Sequence, residues 1–253
     1  MRDDAILWHD GKSRCAWVPD DDDAAARYHD EVWGTRTYEE SAMFEALTLG
    51  VFEVGLSWSI VFGKRDAFRT AFRGFDVVTV AAMTGQDVDR LVQDASIIRN
   101  RGKIQATVDN ARAMMTASPS LATLAKSYAT TRKQAPMSTA DLPKSTPQAE
   151  AFAKQLKSLG YRYVGPTSVY AFMQNVGVVN DHIHGCFRAA DYAAETGHGA
   201  SLSERRSNGP LVTGDLDLPY CPGIGSLTAG MVGAGFYAAP RARIDTIAAL
   251  LLE

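Results

Sequence analysis

The sequence predicts an all-α protein. Three observations carry this: apolar residues recur at helical spacing from segment to segment, strand-like alternation is scarce, and short polar or Gly/Pro breaks separate the segments. A chain of 253 residues, 46% of them hydrophobic, suffices for one large packed domain or a domain with an appendage.

In chain order, DDDDAAARYHD (residues 20–30) reads as an acidic cap running into a short helix. TYEESAMFEALTLGVF then places Met43, Phe44, Leu47 and Phe52 at roughly helical spacing, and SWSIVFGKRDAFRTAFRGF repeats the pattern. DVVTVAAM, DVDRLVQDA, KIQATVDNARAMMTA and PSLATLAKSYA follow, each ended by a short polar break. TTRKQAPMSTADLPKSTPQ holds three prolines and several Ser/Thr, so it is expected to be a surface loop. In TPQAEAFAKQLKSLG, Thr146 is the expected N-cap and Gly160 the C-cap of a further helix, and PTSVYAFMQNVGVV supplies one more. The helical domain so outlined runs over 13–190. A Gly/Ser-rich, unpatterned stretch at 191–214 reads as a linker, and 215–253 as a helical tail.

A net charge of -3 with 22% charged residues excludes a generally basic nucleic-acid coat and an acidic disordered chain. Any DNA-binding surface must therefore be a local patch. The start, MRDDAILWHDGK, lacks the basic and apolar regions of a signal peptide, and no run of 18 apolar residues exists. The expectation is an intracellular, cytoplasmic protein with no membrane partner. Cys15, Cys186 and Cys221 are too few and too scattered for a disulfide framework, which leaves metal binding, catalysis or inert burial.

Structural zinc takes four N/S ligands, supplied as two local pairs. Here the pairs are Cys15 with His29, and His182 with Cys186. The second pair, H-x3-C, has the i, i+4 spacing that puts two side chains on one face of a helical turn, whereas C-x13-H is too wide for a finger knuckle. Spacing alone leaves buried, unliganded Cys and His as the alternative.

C-x-W-V, Y-H-D-x-x-W-G, G-L-S-W, I-I-R-x-R-G-K-I and V-N-D-H-x-x-x-C occur in that order. Together they resemble the 3-methyladenine DNA glycosylase I family of the helix-hairpin-helix DNA glycosylase superfamily, over residues 13–190. The resemblance implies that fold and one structural zinc ion held by Cys15, His29, His182 and Cys186, with His184 the competing ligand. DVDRLVQDASIIRNRGKIQATVDNARAM becomes the hairpin that offers backbone N–H groups to a phosphate of double-stranded DNA at Gly102, with Arg99, Arg101 and Lys103 around the turn. Tyr28 and Trp58 match rings expected to line the base pocket, Trp17 and Trp33 add further aromatic surface, and Leu56 plugs the duplex.

The family pattern E-x-x-Q-A-G-L-S-W reads G-V-F-E-V-G-L-S-W in this chain. Gly50 stands at the base-reading Glu and Glu53 at the Gln. Two readings follow: Glu53 supplies the carboxylate, a small helix rotation bringing it to the base, or base recognition is altered or lost. The function implied is that of a monomeric, monofunctional glycosylase excising an alkylated base such as 3-methyladenine by base flipping and hydrolysis. The alternative is a non-catalytic or altered-specificity DNA-binding protein on the same scaffold. In the tail, P-G-I-G-x-x-T-A is similar to the hairpin of the endonuclease III branch, with Asp245 at that branch's catalytic aspartate and Leu227 where its lyases carry Lys.

Overall fold

The computed structural model describes residues 5–19, 21–130 and 134–190. The linker and tail, with Cys221, Leu227 and Asp245, lie outside the described residues. An antiparallel hairpin of β1 (Ile6–Leu7) and β2 (Ser13–Arg14) precedes the helices. The alternation that marks longer strands is absent from this stretch, and four residues in two short pieces leave no such pattern in the sequence.

The helices stand where the apolar spacing put them. They are α1 (Asp23–Glu31), α2 (Glu40–Glu53), α3 (Trp58–Phe62), α4 (Arg65–Ala71), α5 (Val77–Ala81), α6 (Gly85–Gln93), α7 (Arg101–Thr116), α8 (Leu121–Ser127), α9 (Pro147–Ser158) and α10 (Pro166–Asn175). Capping explains the starts. Asp22 accepts from the backbone N–H groups of Ala24 and Ala25, and Thr146 from that of Ala149, ahead of Pro147 in the first turn of α9. Thr84 and Asp87 form a capping box on α6, and Asn100 accepts from Lys103 N–H at the head of α7. Gly160 follows α9 with φ +91°, as expected of the residue after a helix end.

Helix α2 runs through the core, with Met43, Phe44, Leu47, Leu49, Val51 and Phe52 all buried. It packs against α3, α5, α7, α8 and α10, so it has scarcely any solvent face. Gly50 lies on the side towards α10, where an added Cβ would meet the Ser168 carbonyl oxygen at 3.8 Å, an ordinary contact. Among the described residues no helix is long and apolar enough to cross a membrane.

Candidate active site and metal centre

Cys15 directly follows β2, His29 sits in the last turn of α1, and His182 and Cys186 lie in the irregular segment after α10. All four are buried, and their ligand atoms fall within 4.8 Å of one another. His29 Nε2 is 3.2 Å from His182 Nδ1 and 3.4 Å from Cys186 Sγ. His182 Nδ1 is 3.6 Å from Cys15 Sγ and 3.7 Å from Cys186 Sγ. A tetrahedron with metal–N bonds of about 2.0–2.1 Å and metal–S bonds of about 2.3 Å has edges of roughly 3.3–3.8 Å. These four separations match such edges, so the two imidazoles and two thiols are a donor set that could hold one ion.

The surroundings are built for these ligands. Asp30 Oδ1 accepts from His29 Nδ1 at 2.9 Å, which leaves Nε2 free as a ligand. Arg14, itself held by Asp10, donates to Asp30 from Nε at 2.9 Å and Nη2 at 2.6 Å. Burial pushes the Asp30 carboxyl up, but the hydrogen bonds from Arg14 and His29 outweigh it and hold the group below the ordinary range. Asp181 accepts from Tyr170 Oη at 2.5 Å and Gln174 Nε2 at 2.7 Å, pinning the His182 segment to α10. Gly34 has φ +72°, and a Cβ there would meet His182 Nε2 at 2.7 Å, so the motif's last position admits only glycine.

The structure corrects three expectations here. H-x3-C is not a helical turn: residues 182–186 form an irregular turn in which Cys186 N–H donates to Ile183 O and Gly185 has φ +83°. His184 is exposed and does not join the ligand group. Trp17 and Trp33 do not line the pocket described next. Their rings cover the ligand imidazoles, Trp33 edge-on to His182 at 4.6 Å and Trp17 tilted on His29 at 5.5 Å.

A cavity of about 230 Å³ opens beside this cluster, walled by Tyr28 and Val32 of the first segment, the face of α2 that carries Glu45, Leu49 and Glu53, and Trp58 and Phe62 of α3. Trp58 stacks on Phe62 with centroids 4.4 Å apart and planes 12° apart, and Tyr28 tilts against both. Tyr28 Oη donates to Asn175 Oδ1 at 2.9 Å, and burial, with the charge of Glu53 second, holds the phenol protonated. The volume suits one flat ring system rather than a stretch of strand.

Glu45 and Glu53 stand on the same side of α2, but their charges are used differently. Glu45 accepts from Arg65 Nε at 2.5 Å and from Arg69 Nε and Nη2 at 3.1 Å. The Glu53 carboxylate has no hydrogen bond or ion pair among the described residues, and desolvation pushes it up to about 7. Gly50 is not a lining residue, whereas Glu53 reaches the cavity with no helix rotation. Glu45, Arg65, Arg69 and Asn175 escaped sequence reasoning. The signals available were the eight-residue spacing of Glu45 and Glu53, about 80° around a helix, and the i, i+4 spacing of the two arginines.

In the α6–α7 hairpin Arg99 and Arg101 are exposed, and Arg101 pairs with exposed Asp89. A Cβ on Gly102 would lie 2.9 Å from Tyr163 Oη. Lys103 does not add to the surface charge expected of it. It is buried, and Nζ donates inward to Phe52 O and Val54 O, the carbonyls that α2 leaves open at its end. Leu56 follows in a partly exposed segment with Val54 and Gly55.

The family model described as Methyladenine glycosylase matches residues 17–189. The chain belongs to the methyladenine glycosylase family. DNA-3-methyladenine glycosylase 1 of Escherichia coli (strain K12) is 43% identical over 178 residues, 68% of this chain and 95% of that protein. A crystal structure of 3-methyladenine DNA glycosylase I superposes with a TM-score of 0.65 at 42% identity, over 69% of this chain and 98% of the other. The family's Staphylococcus aureus glycosylase, solved to explain 3-methyladenine recognition, gives a TM-score of 0.63 at 30% identity, over 67% of this chain and 93% of the other. The described helical domain thus has the fold of the methyladenine glycosylases.

Proposed function

We propose that residues 13–190 form a monomeric, monofunctional DNA glycosylase that releases an alkylated purine of the 3-methyladenine type from duplex DNA. One observation carries the reading beyond family membership: an unpaired carboxylate, Glu53, shares a cavity with the faces of Tyr28 and Trp58. Aromatic faces and a carboxylate suit a cationic ring. Alkylation at N3 makes adenine such a ring, and also a good leaving group.

The chain's own residues then divide the work. The α6–α7 turn, with Gly102 and the exposed Arg99 and Arg101, holds a phosphate in the manner of a helix-hairpin-helix. Leu56 fills the gap that the extruded nucleotide leaves, at a cost in unstacking that is lowest for a damaged base. Tyr28, Trp58 and Glu53 hold the flipped base. The glycosidic C1′–N bond breaks with its electron pair going to the base, which leaves neutral, and water adds to C1′ and gives up a proton to solvent. Cys15, His29, His182 and Cys186 would hold one zinc ion, which when bound fastens the two ends of the domain together and takes no part in the reaction.

The test is release of free 3-methyladenine from methylated duplex DNA, followed by chromatography. Release at a rate far above the spontaneous one is expected. Tight binding to an abasic duplex without any base release would instead assign the chain to non-catalytic DNA binding.

A further inference from the structure

Lys103 is the third residue of α7, yet its side chain turns away from the expected phosphate site and is 6% exposed. Its ammonium lies on the carbonyls of Phe52, at 3.0 Å, and Val54. These belong to the C-terminal end of α2, where the partial negative charge of the helix collects, and α2 has no basic residue in its own last turn. The cation that complements this end comes from the neighbouring hairpin. Burial lowers the affinity of Lys103 for its proton, the expected consequence of taking an ammonium out of water. A methionine would fill the space without that cost. The position therefore uses the lysine for what a methionine lacks, directed donors that fix one helix end against another.

What those two ends carry gives the link a role. The last turn of α2 ends with Glu53, and Val54, Gly55 and Leu56 follow at once. The first turn of α7 carries Gly102 beside Asn100 and Arg101. We propose that Lys103 is a positioning residue that couples the phosphate-holding turn to the pocket and plug, so that seating of the hairpin on DNA sets the place of Glu53 in the pocket and the depth of Leu56 in the duplex. The proposal rests on the reading of this chain as a DNA glycosylase. It differs from the role expected from sequence, in which Lys103 touches a phosphate itself.

The full chain and its Lys103→Met and Lys103→Arg variants are compared in three assays. These are single-turnover release of 3-methyladenine, the fluorescence of 2-aminopurine placed beside the lesion as a report of base flipping, and the salt dependence of affinity for an abasic duplex. Lys103→Met is expected to slow release by about ten- to a hundredfold, as sub-ångström misplacement does, with a smaller flipping signal. Its salt slope stays that of the wild type, and Lys103→Arg, which restores charged donors, recovers most of the loss. A slope reduced by about 0.9, the mark of one lost phosphate contact, with normal release from the bound complex overturns the proposal. So does unaltered release and flipping in Lys103→Met, or a pair of variants neither of which folds, which would make Lys103 a core brace. A wild type that neither flips nor releases the base removes the glycosylase reading itself, and the coupling with it.

Discussion

The Cys/His cluster and the aromatic cavity share a wall: Trp17 tilts on His29 on one side and meets Trp58 edge-on, at 5.6 Å, on the other. They differ in how their polar groups are satisfied. In the Cys/His cluster the imidazole of His29 has a carboxylate behind it and that carboxylate has an arginine, so these charges are matched within the chain. In the cavity the half-buried Glu53 carboxylate is left without a partner. The His29 side of the cluster is satisfied within the chain, while the equally buried His182 Nε2 has no hydrogen-bond partner among the described residues. The cavity instead keeps an open carboxylate, which the proposed cationic base would meet.

The largest expected effect falls on the Cys/His cluster. Cys186→Ala, or removal of metal by a chelator, should lower the thermal midpoint of the whole domain, since structural zinc contributes on the order of 10 kcal/mol in small zinc-folded peptides and less where a helical core exists already. Differential scanning with and without chelator measures this. A midpoint indifferent to both would remove the metal centre as a structural element.

The next effect belongs to the cavity and has two opposite signs. The native chain keeps the Glu53 proton up to a pH of about 7 while the unfolded chain releases it near the ordinary 4.5. The unfolded state thus binds fewer protons across that window, so this group's contribution to stability falls as pH rises through it. Excision moves the other way, rising through a pH of about 7 as the carboxylate ionises to face a cationic base. Urea unfolding of the wild type and Glu53→Gln from pH 5 to 8 checks the first slope: the variant should be the more stable protein at the alkaline end. Equal stabilities throughout would mean that Glu53 is solvated.

Asp30→Asn tests the matched charges behind His29. It should weaken zinc affinity about ten- to a hundredfold, the usual loss when the partner of a ligating histidine goes, as read by competition with a metallochromic chelator. The smallest effect expected is that of Gly50→Ala. It should raise stability by about 0.5–1 kcal/mol, because a helical glycine gives way to alanine in space that exists, and should leave excision unaltered. A loss of excision would show that Gly50, though outside the cavity lining, limits the pocket.

The helices were legible in the chain because their cause is local: apolar spacing, Asp22 and Thr146 as caps, Gly160 as a stop. The clustering of Cys15, His29, His182 and Cys186 was legible because Cys and His are few in the chain and each of the four sits in a motif, such as the one whose Gly34 makes room for His182. The pocket was only half legible. Tyr28 and Trp58 could be named from their motifs, but which faces of Trp17 and Trp33 meet imidazole rather than cavity depends on the packing of distant segments. Lys103 was misjudged for the same reason, since a lysine in a basic turn looks solvated until the end of α2, about 50 residues earlier in the chain, is seen to lie beneath it. Glu45 and Glu53 look alike in sequence. Arg65 and Arg69, on another helix, neutralise the one and not the other.

In the proposed function Glu53 is the group that faces the cationic base. The most direct test of that role is the single-turnover rate of 3-methyladenine release at pH 8 by the wild type and by Glu53→Gln, on the same methylated duplex with saturating protein. Brisk release by the wild type is expected, with a loss of about a hundredfold in the variant, on the order of 2.7 kcal/mol of transition-state stabilisation. Wild-type release that survives the substitution undiminished would contradict it.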